Sequence, residues 1–195
     1  RTEQGWKIYD KYREIREDDI VIDVGSHTGY FTLKAAKTAN KGNVISIEPH
    51  PDNFSLLLEN INNNNLTNVI PLKFAAWNDI GIKKLFLNPS SGSHSFIFED
   101  DRNSIEVETS SIDFIVQNFN LNKINFIKID AEGSELQILE GAINTLKNTS
   151  PYLAVSAYHY SGEADKLSSF FIENNFEIIR EVHGGQEYVY AWKAN

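Results

Sequence analysis

The run Ile20-Val-Ile-Asp-Val24, followed at once by Gly25-Ser-His-Thr-Gly29 and then by a helix-forming stretch from Tyr30 to Thr38, constrains this chain more than any other feature. A continuous β-branched run reads as a strand buried on both faces, and such strands belong to parallel sheets covered by helices. Glycines let the next loop adopt backbone conformations closed to other residues and approach a ligand closely. The pattern then repeats. Asn43-Val-Ile-Ser-Ile47 is a second strand of the same kind, and Pro49 and Pro51 turn the chain because proline cannot continue a ladder. Phe54, Leu57, Leu58 and Ile61 fall at helical spacing, Asn62 to Asn65 stops that helix, and residues 69–74 form a third strand. This alternation predicts an α/β fold with parallel strands and helices on both faces of the sheet.

Residues 78–110 break the rhythm. Weak strands over 83–87 and 105–109 flank a polar stretch at 88–95 rich in Ser, with Gly and Pro, which reads as an insertion with a loop on the substrate side of the site. Beyond it the spacing predicts a helix over 111–119, a core strand over 125–129, one helix over 133–146 and a strand over 152–157. A helix around Leu167, Phe170 and Phe171 follows, and strands over 176–181 and 187–192 are joined through Gly184-Gly185. Trp6, Ile8, Tyr9, Tyr12 and Ile15 predict an amphipathic lead-in helix over 1–17. Together these make a single domain over 1–195, a length suited to one hydrophobic core.

The formal net charge is −9 and no basic run exceeds Lys83-Lys84, so no footprint for a phosphate backbone is visible and nucleic acid is not expected as a partner. The absence of cysteine excludes disulfides, thiolate nucleophiles and Cys-ligated zinc. No apolar run reaches the roughly 20 residues of a membrane span, and residues 1–19 lack a signal-peptide core, so a soluble, cytoplasmic protein is expected. Because the chain begins at Arg1 rather than Met, a fragment or a processed or trimmed form is expected.

The strand, glycine loop and helix start suit a ligand at the sheet edge, but Gly25-x-x-x-Gly29 departs from the G-x-G-x-x-G of pyrophosphate cradles. Glu48, ending the second strand, is placed to accept hydrogen bonds from ribose hydroxyls, which favours an adenosine-type cofactor. A nucleotide-dependent oxidoreductase and a catalytically silent binding module built on the same fold are the competing readings.

Four segments in register, VIDVGSHTGYFT (21–32), IEPHP (47–51), FAAWND (74–79) and IKIDAEGSE (127–135), resemble the FkbM family of S-adenosylmethionine-dependent methyltransferases. The resemblance covers about residues 18–157, and the ending Ala157-Tyr-His159-Tyr looks like a subset of that family. It implies a Rossmann-like class I methyltransferase fold with a mostly parallel seven-stranded sheet and an antiparallel C-terminal strand. It also implies S-adenosyl-L-methionine as cofactor and O-methylation of a hydroxyl on a small molecule, sugar or glycan. Asp23, Gly25 and Gly29 would line the methionine end, Glu48 would hold the ribose, and Ala76 with Trp77 would lie beside the adenine. Ser26, His27 and Pro49 are counted with these cofactor contacts.

Asp130 ends a core strand, where a carboxylate can orient a hydroxyl or take its proton, and His159 is the second candidate base because imidazole titrates near neutrality. Lys128, two residues before Asp130 and on the same strand face, is expected in the substrate pocket together with Glu132 and His94. Glu135 reads as a favourable charge at a helix start. Asp130, Glu132 and a histidine offer metal-ligand chemistry, yet nothing in the spacing demands a metal and none is expected.

Overall fold

The computed structural model describes residues 7–87, 95 and 103–194. Its main sheet contains the expected parallel strands: β1 (Ile20–Val24), β2 (Asn43–Ile47), β3 (Val69–Leu72), β7 (Phe126–Ile129) and β8 (Tyr152–Ser156), joined by β9 (Glu177–His183) and β10 (Gln186–Trp192). The order is β3-β2-β1-β7-β8-β10-β9. β10 alone runs against its neighbours, pairing antiparallel with β8 and β9, and all other pairings in this sheet are parallel. The β-branched strands end up central because both of their faces are covered. Ile22 and Val24 of β1 pack into one layer with Ile45, Ile47, Ile127 and Ile129, while Val21 joins Val44 and Phe126 on the other side.

Helices α3 (Ile112–Asn118), α4 (Glu135–Glu140), α5 (Ile143–Thr149) and α6 (Glu163–Glu173) cover the first layer through Ile115, Leu139, Leu146 and Phe171. On the other layer lies α1 (Tyr30–Thr38), packed through Phe31, Ala35 and Ala36. Helix α2 (Pro51–Asn63) opens on a proline at its first position, where a missing N–H costs nothing. Among the described residues no helix is long and apolar enough to cross a membrane.

Three expectations need correction. The described part of the lead-in segment, residues 7–19, runs as turns and bends instead of a helix. Its aromatic residues still face the sheet: Tyr9 packs edge-on against Phe31 and Tyr188, and Tyr12 against Tyr190. Residues 69–74 do not form one strand. The ladder ends at Leu72 and the chain crosses to a second sheet of order β4-β6-β5, built from β4 (Ala75–Ala76), β5 (Gly81–Phe86) and β6 (Ser104–Ser110). The expected helix over 133–146 is two helices. Gly141 separates them at a close crossing, since a Cβ there would lie 2.1 Å from the Trp77 carbonyl oxygen. Asp113 then restarts the helix by accepting from the backbone N–H of Asn144 (3.0 Å) and Thr145 (2.7 Å).

The Gly141 crossing makes a direct prediction. Gly141→Ala should lower unfolding free energy by about 1–3 kcal/mol, as overpacking does, and shift the Trp77 fluorescence. Urea unfolding that leaves the midpoint unchanged would contradict the crossing.

Candidate functional site

The C-terminal ends of β1, β2 and β7 meet at the glycine loop. Gly25 (φ 69°), His27 (φ 52°) and Gly29 (φ 89°) all take left-handed backbone conformations. Gly25 also allows a close approach, because a Cβ would lie 1.9 Å from the carbonyl oxygen of Asp130 at the end of β7. The loop amides point into the protein. Gly25 and Ser26 donate to Ile47 O at 3.0 and 3.1 Å, His27 donates to Glu48 Oε2 at 2.8 Å, and Gly29 donates to Ser26 O at 2.8 Å. A pyrophosphate therefore finds these four donors already engaged.

Beneath the loop lies a buried charge network. Lys128 Nζ sits 3.0 Å from Asp23 Oδ1 and donates to the carbonyl oxygens of Val24 (3.1 Å) and Gly25 (2.8 Å). Thr32 of α1 donates to Asp23 Oδ2 at 2.6 Å and receives Ser46 of β2 at 2.7 Å. Asp23 is wholly buried and Lys128 only 4% exposed. Asp23, expected at the methionine end, thus lies beneath the loop, and Lys128, expected in the substrate pocket, ties the loop carbonyls. A buried cation needs such acceptors, and the loop carbonyls supply them.

Glu48 ends β2 with Oε1 accepting from His50 N (2.9 Å) and Oε2 from His27 N (2.8 Å). Burial pushes its carboxyl up, partly offset by those two amides. Pro49 follows it, half-buried. Ala76, buried at the end of β4, precedes Trp77, whose N–H is held by Ser110 O at 2.9 Å and whose ring lies 5.1 Å from Lys83 Nζ.

The second half of the site centres on Asp130. Tyr9 donates to its Oδ2 at 2.9 Å and Tyr158 to its Oδ1 at 3.1 Å. Burial opposes the charge, but the His159 ring, Lys128 and Tyr9 hold the Asp130 carboxyl well below the usual carboxylate range. His159 is packed among carboxylates: Nε2 lies 3.5 Å from Asp130 and 3.8 Å from Glu132, Nδ1 lies 3.4 Å from Glu135 and 3.3 Å from Glu163. Burial alone would lower its pKa, yet the Asp130, Glu163 and Glu135 carboxylates raise it to about 11. The surrounding carboxylates thus favour the charged form of His159.

Glu135 is fully buried and accepts from Ala131 N at 2.8 Å, so it belongs to this cluster instead of merely favouring a helix start. Glu132 (φ 54°) flanks the ring, and its carbonyl receives the Ser95 hydroxyl at 2.8 Å, which brings Ser95 to the site. His94 lies outside the described residues. Sequence reasoning missed Tyr9, Tyr158 and Glu163. Glu163 was findable four residues from His159; Tyr9, 121 residues from Asp130, was not.

The family described as "Methyltransferase FkbM domain" matches residues 23–190. A relative from Haloferax volcanii, hexuronic acid methyltransferase AglP, is 35% identical over 137 residues, covering 69% of this chain and 54% of its own length. The chain thus spans about half the length of this relative. The crystal structure of methyltransferase FkbM from Methylobacillus flagellatus KT superposes with a TM-score of 0.72 at 20% identity, covering 93% of this chain and 45% of that one. A SAM-dependent methyltransferase from Aquifex aeolicus gives 0.59 at 17% identity over 99% and 94% of the two chains.

Replacing one member of the buried ion pair should be far worse than replacing both. Lys128→Met is expected to destabilise by about 3–5 kcal/mol, and adding Asp23→Leu to recover much of that loss. Equal losses in the single and double variants, by chemical unfolding, would remove the pair from its supporting role.

Proposed function

The chain belongs to the FkbM methyltransferase family, and from that premise we propose that it transfers the methyl group of S-adenosylmethionine to a hydroxyl of a sugar, glycan or other small acceptor. The observation that supports this most is the sign of the site. Its loop amides are turned inward, and the groups presented around it are acceptors: Glu48 at the end of β2, Asp130 at the end of β7 and Glu132 beside it. Ser26 Oγ adds a buried oxygen without a hydrogen-bond partner. A cofactor carrying a sulfonium, an ammonium group and ribose hydroxyls fits that donor-poor surface, whereas a dinucleotide brings a pyrophosphate that it cannot cradle. This speaks against the oxidoreductase reading.

The cofactor would supply an electrophilic methyl group. Glu48 would accept from the ribose hydroxyls with the lone pairs left over from its two amide bonds, and Ala76 with Trp77 would flank the adenine. Asp130 stays ionised because Tyr9 and Tyr158 donate to it and positive charge lies close by. A carboxylate held that low is a weak base, so its work is to accept the hydrogen bond of an acceptor hydroxyl and aim its oxygen for in-line attack. As the acceptor oxygen bonded to the methyl carbon, the C–S bond would break with S-adenosylhomocysteine leaving, and the acceptor proton would pass to solvent water. The AglP relative acts, by its name, on a hexuronic acid, which supports a sugar acceptor here.

Calorimetry tests the cofactor. S-adenosylhomocysteine should bind and NAD should not, and Glu48→Ala should weaken binding about 10–100-fold, the worth of charge-assisted hydrogen bonds. No binding of S-adenosylhomocysteine would overturn the reading. Asp130→Asn should lower turnover on a sugar acceptor by about 100-fold or more, far more than it weakens cofactor binding. An equal loss of cofactor affinity would reassign Asp130.

A further inference from the structure

Behind Asp130, one imidazole faces four carboxylates. His159 has a side chain 3% exposed, and neither of its ring nitrogens makes a hydrogen bond. Glu135 Oε2 and Glu163 Oε1 are likewise buried without a hydrogen-bond partner. Lys128, which acts on the Asp130 carboxyl, is committed to Asp23 and the loop carbonyls. The cluster therefore holds four carboxyl groups around one imidazole, with buried oxygen and nitrogen atoms that no hydrogen bond engages. Asp130, Glu135 and His159 each offer a ligand atom within 4.8 Å of the others.

We propose that Asp130, Glu135 and His159 bind one first-row divalent cation of the Mn2+ type. A cation with bonds of about 2.1 Å holds its donors about 3–4 Å apart, and His159 Nε2 already lies 3.5 Å from Asp130 Oδ1. Glu135, whose Oε2 is buried without a hydrogen-bond partner, offers the third ligand atom within 4.8 Å of the other two. Each ligand is oriented from behind, as metal ligands require: Asp130 by the Tyr9 and Tyr158 hydroxyls, Glu135 by the Ala131 amide. Glu163 Oε2 receives the His159 backbone N–H at 2.8 Å and lies 3.3 Å from Nδ1, placed to accept a hydrogen bond from the Nδ1 N–H while Nε2 meets the cation. Mixed carboxylate and imidazole donors without sulfur select Mn2+, Fe2+ or Zn2+ over Ca2+. The cation displaces the proton on Nε2, and Glu132 flanks the open side at 3.8 Å from that nitrogen. Its use in catalysis, polarising the acceptor oxygen beside Asp130, rests on the methyl-transfer reading; its binding does not.

The test uses chelator-treated protein with Mn2+ alone, no cofactor and no acceptor. Electron paramagnetic resonance of free Mn2+ should show saturable uptake of one ion per chain. Glu135→Gln and His159→Gln should abolish it, and Glu163→Gln should weaken it about 10–100-fold. In the wild-type protein Mn2+ should broaden the ring signals of His159 before those of the other four histidines, a readout that needs no variant. No saturable uptake, uptake unchanged in the first two variants, or broadening that spares His159 each overturns the site. Failure of S-adenosylhomocysteine binding instead overturns the methyl-transfer reading and leaves this one standing.

Discussion

The ion pair of Lys128 with Asp23 holds the two halves of the site in one frame. It joins adjacent strands at paired positions, since Asp23 of β1 lies opposite Lys128 of β7. It then reaches up to two loop carbonyls and, through Thr32 and Ser46, across to α1 and β2. Such a pair adds little net stability over an apolar substitute of the same shape. What it supplies is position. Hydrophobic packing is non-directional and tolerates a sheared loop, whereas an ammonium with three donors and three oxygen partners fixes where the loop carbonyls stand.

The charge balance above the sheet is of a different kind. Below, one cation meets one carboxylate and the remaining donors go to carbonyls. Above, carboxylates outnumber the single imidazole, and the surplus is kept in check by tyrosine hydroxyls and backbone amides. Hydroxyls and amides stabilise an anion without neutralising it, so Asp130 keeps its charge, while burial pushes the Glu135 carboxyl up towards its neutral form. That anion suits a positively charged cofactor and discourages a phosphate-bearing one.

Much of this fold was legible in the sequence because its strands are continuous β-branched runs with glycines or prolines directly after them. Ile20–Val24 and Asn43–Ile47 were legible to the residue. Periodicity failed where tertiary contacts override it. The Tyr9 and Tyr12 spacing fits a helix face, but it fits a strap of turns laid on a sheet equally well, and the aromatic rings there pack beside α1 on Phe31, Tyr188 and Tyr190. The break at Gly141 was hidden because its reason, the Trp77 carbonyl, lies 64 positions earlier in the chain. In the site, Glu48 and Asp130 were legible as strand-end carboxylates. The inward turn of Asp23 and Lys128 was not, since alternation tells which face a side chain takes but not how deep it lies.

Tyr9 gives the strap a thermodynamic meaning. Its hydroxyl reaches Asp130 from a segment without regular structure, held by ring packing against Phe31 and Tyr188. Docking of residues 7–19 and the occupancy of Asp130 therefore draw on one shared bond. Linkage is reciprocal: a ligand that strengthens that bond tightens the strap by the same free energy with which strap docking strengthens the ligand. Amide hydrogen exchange in residues 7–19 is thus a gauge of the chemical state of a carboxylate at the far end of the chain's fourth parallel strand.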